Sequence, residues 1–328
     1  MQPIPISANQ PPDRFYTGGR RISDFRSDPP AGSRMPEDWV ASTTSVRGHA
    51  PIGMTRLPDG RLLADAISRD PLAWLGPEHV GRFGPDTMLL VKLLDAGQRL
   101  PIHAHPDGDF AAKHLGAAHG KAEAWYILAP GTVFLGLREN IDAAELRRLV
   151  DTQQTDRMLG LMHSIEVETH NTVYVPPGLP HAIGPGILLA EVQEPEDLSI
   201  LLEWTGFELD ADDGHLSLGF DLALTAVDTR AHSRDDILSL VQRTDSDGPV
   251  LAAASAEFFR LDRVSGDQNV PAGFAVLIAL AGSMSLTTEG GATIDLAPGS
   301  TTLVPYAAGP MHFAGNGSVL VARPPRAH

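Results

Sequence analysis

The chain of 328 residues has no cysteine. Disulfides and thiolate metal sites are therefore excluded. Aromatic residues are sparse at 6%. No apolar run approaches the ~20 residues that a membrane-spanning helix needs. The first fifteen residues, MQPIPISANQPPDRF, carry no basic stretch followed by an apolar one, so no secretory leader is expected. Positive charge is also short, with 25 Lys and Arg against 41 Asp and Glu and a formal net charge of −16. That balance argues against nucleic acid and anionic membranes as partners. It also opposes an anionic substrate unless a local basic cluster receives it. By default these absences lead us to expect a cytoplasmic protein. The sequence sets no oligomeric state.

What is present points to a β-rich globular protein. Hydrophobic residues make up 42% and charged residues 20%, and the 32 Gly and 27 Pro imply many turns and short elements. The length suits about two domains. Strands are expected at Asp38 to Val46, Thr87 to Asp95, His103 to His105, Glu123 to Ala129, Asn171 to Val175, Ile187 to Val192 and Leu198 to Trp204. Helices are expected at 62–75, 77–82 and 142–162, with a helical excursion over 109–119. Residues 1–14 read as an arm, 209–232 as a connection with a short helix from Phe220, 235–242 as a helix, and Phe258 onward as strand and turn. Pro298 to His312 echoes Glu168 to His181: each runs from a turn into a strand, a Val-Pro and a late His. The echo suggests two related barrels, the second expected to hold no metal because it lacks His-x-His. His312 is then a surface or packing residue.

One constellation carries chemistry. His103 and His105 stand two apart, so in a strand both face one way. Glu123 opens the next strand, and His181 follows the rigid turn Pro176-Pro-Gly178. Imidazole nitrogens and a carboxylate suit a divalent transition metal and leave positions open for water or substrate. Lys121 shares the strand face of Glu123. Lys92 is the lone charge in the apolar run Leu89 to Leu94; it is either a pocket residue or a snorkelling chain at a strand end. His114 and His119 lie in the excursion and are expected to face solvent.

These residues resemble a known family. The segments Leu89 to Ala96, Ile102-His-Ala-His-Pro-Asp107, Gly120-Lys-Ala-Glu-Ala-Trp-Tyr-Ile127, Val173 to Gly184 and Gly186 to Glu194 are similar to those of type I mannose-6-phosphate isomerases, in the cupin superfamily. The likeness is dense over about 85–197, weaker over 15–84 and faint after 205. It implies a mainly β fold of two cupin-like β-barrel (jelly-roll) domains: 15–208 with a helical insertion at about 141–163, and a degenerate 233–328. It implies one divalent metal, usually Zn2+ in the family, on His103, His105, Glu123 and His181. The first of these positions is often Gln in the family, so His103 should bind metal more firmly. Pocket groups of the family fall on Lys92, Lys121 and Asp197. Four residues after Asp197 the family has an Arg; here the residue is Leu201. Guanidinium suits phosphate or a developing enediolate, and Leu offers neither.

The implied activity is metal-dependent aldose–ketose isomerisation of the mannose 6-phosphate type. Lys121 and Lys92 would be its proton-handling groups and Asp197 a substrate-binding group. The alternatives are the same scaffold acting on a different or unphosphorylated sugar, and a sugar-binding cupin without catalysis.

Overall fold

The computed structural model describes residues 1–243, 246–291 and 293–327. Strand residues outnumber helical ones, 31% to 23%, in line with the mainly β expectation. Four antiparallel sheets form. One six-stranded sheet runs Val241–Arg243, Asn171–Val175, Glu123–Ala129, Leu188–Gln193, Leu90–Asp95, Glu37–Val40. A five-stranded sheet, Ile200–Leu201, His103–Ala104, His181–Ile183, Gly131–Leu137, Met162–Val167, faces it. Trp125, Ile127, Leu135, Ile165, Val173, Ile183 and Leu189 fill the space between them. A second pair, of six and four strands, encloses Val264, Leu277, Leu286, Phe313 and Val321.

The two six-stranded sheets lie back to back. Val91, Leu93, Tyr126 and Ala190 meet Val276, Ile278, Leu303 and Leu320 in one apolar cluster. The Leu90–Asp95 strand is therefore covered on both faces and buried at every residue. That explains its continuous apolar reading rather than an alternating one.

The chain exchanges edge strands between the sheet pairs. Residues 1–14, expected as an arm, contribute Ile4–Ile6, which pairs with Thr301–Leu303 at the edge of the second six-stranded sheet. Val241–Arg243, beyond the expected boundary at 232, pairs with Asn171–Val173 in the first. Each addition covers an edge that would otherwise present unpaired backbone groups. Two expected strands are shorter by most of their length. The one begun at Asp38 ends at Val40, because Ala41 takes φ +50°. The Leu198 to Trp204 run pairs only at Ile200–Leu201. In that run the Glu203 carboxylate accepts from Ile102 N–H and Arg99 instead.

Helices Ala143–Asp151 and Thr155–Leu161 lie within the expected insertion. Leu146, Leu149 and Val150 form the buried stripe of the first, at helical spacing. Asp142 caps it by accepting from Glu145 N–H.

The segment after the N-terminal strand is clamped to the Leu90–Asp95 strand. The Asp95 carboxylate accepts from the Gly19 and Arg21 N–H groups at 2.8 and 3.0 Å. Gly18 makes this approach possible, since a Cβ there would stand 2.0 Å from Asp95 O. Gly18→Ala should cost about 1–3 kcal/mol or more by overpacking against backbone. Urea unfolding would measure it, and wild-type stability would contradict the contact.

Candidate metal centre and its pocket

His103 and His181 are register partners in the five-stranded sheet. His105 follows one residue after the His103–Ala104 strand ends. The Pro-Pro-Gly turn does more than lead into His181: Gly178, at φ +83°, donates its N–H to His105 O at 2.7 Å. The two motifs, 70-odd residues apart in sequence, are thus joined through the backbone at the site. Glu123 comes from the facing sheet. Lys121 precedes it by two residues, its N–H bonded to Pro106 O at 3.0 Å.

The three imidazoles share one orientation device. His103 Nδ1 lies 2.8 Å from Pro101 O, His105 Nδ1 2.7 Å from Leu198 O, and His181 Nδ1 2.8 Å from Leu179 O. A carbonyl only accepts, so each Nδ1 carries the proton and each Nε2 keeps a lone pair. The three histidines are buried, and their ligand atoms lie within 4.8 Å of one another. Among the described residues this is the one group of three or more His, Cys, Asp or Glu with metal-binding spacing.

Glu123 closes against the same group. Its Oε2 is 3.0 Å from His105 Nε2, and its Oε1 is 3.3 Å from His181 Nε2. These are encounters of lone pairs, which repel unless a cation lies between or beside them. The Lys121 ammonium, 3.0 Å from both His105 Nε2 and Glu123 Oε2, compensates one encounter. The other has no such partner: His181 Nε2 is fully buried without a hydrogen bond. Trp125 Nε1–H steadies Glu123 Oε1 at 3.1 Å. This donor set fits a divalent metal held by nitrogen and carboxylate oxygen.

Protonation states agree. Burial drives the His103 imidazole well below its ordinary range, helped by repulsion from His181 and His105. Burial and then Lys121 bring His105 down to about 3, against the pull of Glu123. Burial alone would raise Glu123, but Lys121 and His105 outweigh it and hold the carboxylate ionised. Neutral imidazoles and an ionised carboxylate are the forms that bind a metal.

Next to this cluster a row of charges crosses the six-stranded sheet. Lys92 is opposite Glu191 on one side and Trp39 on the other, and Glu191 is opposite Trp125. Lys92 Nζ lies 3.3 Å from Glu191, 3.7 Å from Glu37 and 4.8 Å from the Trp39 ring centre. Burial would lower the Lys92 ammonium, yet Glu191 and Glu37 hold it well above the ordinary lysine range. Lys92 is therefore neither a snorkelling chain nor a free base, but a fixed buried cation. Glu37 also accepts from Tyr16 Oη–H at 2.8 Å and Trp39 Nε1–H at 2.7 Å. Burial pushes the Glu191 carboxyl up; Lys92 opposes this and Glu123 adds to it. Glu191 Oε1 is the oxygen that faces Lys92.

A cavity of about 260 Å³ opens beside the cluster, lined by His103, Lys121, Glu123, Lys92, Glu37 and Glu191 on its charged side. Asp197 and Leu201 also line it. Every residue singled out from sequence for the site thus borders this cavity or the imidazole cluster. Glu37, Glu191 and Arg14 were missed. An acidic residue inside an otherwise apolar strand, as in Leu188-Leu-Ala-Glu-Val192, was the available signal for Glu191. His119, expected to face solvent, is mostly covered and bonded to Asp86 at 2.7 Å. His312 is partly exposed and contacts Asn269 at 3.1 Å.

No family model matches the chain. A mannose-6-phosphate isomerase of Streptococcus mutans is 35% identical over 190 residues, 56% of this chain and 55% of that protein. Mannose-6-phosphate isomerase ManA of Bacillus subtilis is 33% identical over 190 residues, 56% of each chain. The chain is similar to mannose-6-phosphate isomerases. The match spans about half the length of these curated relatives. The crystal structure of the mannose 6-phosphate isomerase from Bacillus subtilis superposes with a TM-score of 0.77 at 21% identity. That superposition covers 98% of this chain and 100% of the other. The fold is therefore shared across the chain, beyond the segment where sequence likeness is dense. No helix among the described residues is long and apolar enough to cross a membrane.

The depressed His105 has a consequence for stability. Between its folded value near 3 and the ordinary 6.5, the unfolded chain binds a proton that the folded protein refuses. The His105 contribution is fully present above about 6.5 and is lost as pH falls through that window. In chelator, the wild type should lose stability between about pH 6.5 and 5 more steeply than His105→Asn. The difference approaches about 1.4 kcal/mol per pH unit. Equal slopes in urea unfolding would contradict the buried neutral imidazole.

Proposed function

We propose that this protein is a metal-dependent aldose–ketose isomerase that interconverts mannose 6-phosphate and fructose 6-phosphate. The observation that carries the reading is the convergence of three Nε2 lone pairs and Glu123 beside Lys121 in an open cavity. The similarity to proteins named mannose-6-phosphate isomerase supports it. We read the two sheet pairs as two cupin-type jelly-roll domains, the first bearing the helical insertion. His103, His105, Glu123 and His181 are the ligands, and zinc is the metal that this donor set suits best. Phosphorylated sugars do not cross membranes freely, which agrees with a cytoplasmic setting.

From aldose to ketose the reaction moves a proton from C2 to C1 of the sugar and a second proton from O2 to O1. When bound, the metal supplies a Lewis acid that polarises and positions the sugar oxygens. Glu191 is the group to carry the carbon-bound proton. Burial raises its carboxyl above the ordinary carboxylate range, and it lines the cavity beside Glu123 and Lys121. Lys121 reaches the metal-side oxygens and moves the proton between O1 and O2. Lys92, fixed as a cation, faces the negative charge that grows as the carbon-bound proton leaves. Asp197 accepts from sugar hydroxyls at the cavity edge. Trp125 and Glu37 hold Glu123 and Lys92 in place.

A second reading rests on Leu201. It lines the cavity and is 4% exposed, where the related family carries a guanidinium. On that reading the substrate is an unphosphorylated sugar.

NMR of mannose 6-phosphate with the chelated and the zinc-loaded protein tests the proposal. Chelation should abolish turnover and added divalent metal should restore it. Glu123→Ala should lower bound metal from equimolar to background, and Lys121→Ala should lower kcat by ~10²–10⁴ with metal retained. Turnover that survives chelation, or equimolar metal in Glu123→Ala, would refute the assignment. Saturable sugar binding without turnover would leave a sugar-binding protein.

A further inference from the structure

We propose that the anionic end of the substrate is held by Arg14 and Arg47, which together form the specificity-determining group of this pocket. The inference rests on the isomerase reading only for the identity of the sugar.

The argument starts from where positive charge is available. The deep cations are already matched: Lys92 faces Glu37 and Glu191, and Lys121 faces Glu123. The wall that carries Leu201 continues through Leu209 and Leu216; its one donor side chain in the lining is the neutral Ser199 hydroxyl, and it holds no cation. Two guanidinium groups remain in the lining, Arg14 and Arg47, with the His49 imidazole beside them.

Arg14 is built in rather than draped over the surface. Its N–H donates to Arg34 O at 3.1 Å, and its own carbonyl accepts from Arg34 Nε–H at 2.8 Å. The side chain is 13% exposed. Its contacts to carboxylates are long, 3.4 Å to Glu37 and 3.9 Å to Asp197, and its buried Nε has no hydrogen bond. A five-donor fork held this loosely keeps donors for a ligand. Arg47 is exposed and closes no ion pair among the described residues, although its charge is felt by Glu196. Its position is fixed through the backbone, because the Asp197 carboxylate accepts from Arg47 N–H at 3.1 Å.

Asp197 therefore sits between the two arginines, 3.9 Å from the Arg14 guanidinium and bonded to the Arg47 backbone. It spaces the arginine-bearing segments without neutralising both. The negative carboxylates at this end are Glu37, which Arg14 shares with Lys92, Asp197 and Asp213. A bidentate phosphate oxyanion is the ligand chemistry that such a pair of forks recognises. The guanidinium missing at Leu201 is supplied from the other side of the cavity, by the N-terminal segment and the loop that carries Val46 to His49.

Calorimetry with mannose 6-phosphate, mannose and inorganic phosphate tests this on the zinc-loaded wild type, Arg47→Ala and Arg14→Gln. Arg20→Ala, an exposed residue outside the cavity, is the control. The wild type should prefer mannose 6-phosphate to mannose, and that preference should fall about 10- to 100-fold in Arg47→Ala, with mannose affinity unchanged. In turnover, KM for mannose 6-phosphate should rise with kcat largely kept. Arg47→Ala removes an exposed side chain, so it remains informative if Arg14→Gln folds poorly. An unchanged preference in Arg47→Ala would overturn the inference, as would a wild type that binds neither mannose 6-phosphate nor phosphate. Arginine-dependent binding of mannose 6-phosphate without turnover would sustain this site and sink the isomerase reading.

Discussion

Three hydrogen bonds from imidazole Nδ1 to backbone carbonyls govern the site. Each costs nothing in charge, yet together they fix the tautomer and aim three Nε2 lone pairs at one point. The carbonyls belong to Pro101, Leu179 and Leu198, so the aim depends on strand ends rather than on flexible side chains. Once those lone pairs converge, Glu123 and Lys121 become intelligible. A buried carboxylate brought to 3.0 and 3.3 Å from such nitrogens is repelled unless positive charge is present. Lys121 supplies part of it, and the unpartnered His181 Nε2 leaves the place that a divalent cation would fill.

Around this point the sheets divide the labour. The five-stranded sheet presents histidines, and the six-stranded sheet presents carboxylates and lysines. Across the latter, Glu37, Lys92 and Glu191 form an alternating buried chain. Breaking one partner in such a chain leaves an uncompensated charge and is strongly destabilising. That arrangement keeps Lys92 charged and raises the Glu191 carboxyl, two environments pushing neighbouring groups apart in the way acid–base catalysis needs. The back-to-back packing of the two six-stranded sheets makes this chain rigid, because its strands are covered on both faces.

Much of the centre was legible in sequence for a simple reason. His103, His105, Glu123 and Lys121 owe their placement to period-2 alternation and to one Pro-Pro-Gly turn, both of which are local. Glu37, Glu191 and Arg14 depend on strand register and on the return of the N-terminal segment across the cavity, which no local pattern encodes. The same limit explains the exchanged edge strands. Ile4–Ile6 is three residues of Pro-flanked chain whose partner lies nearly 300 residues away. His119 was misjudged because its partner Asp86 belongs to a different turn. The Leu198 to Trp204 strand was overextended because Glu203 spends its carboxylate on Arg99 and Ile102 rather than extending the ladder.

The claim on which all of this depends is that the three imidazoles and Glu123 bind one metal together. X-ray absorption at the zinc edge of the loaded protein tests it most directly. The account requires nitrogen and oxygen neighbours at about 2.0–2.1 Å with the multiple-scattering signature of three imidazoles, reduced to two in His181→Ala. A shell of oxygen alone, or one unchanged by His181→Ala, would contradict it.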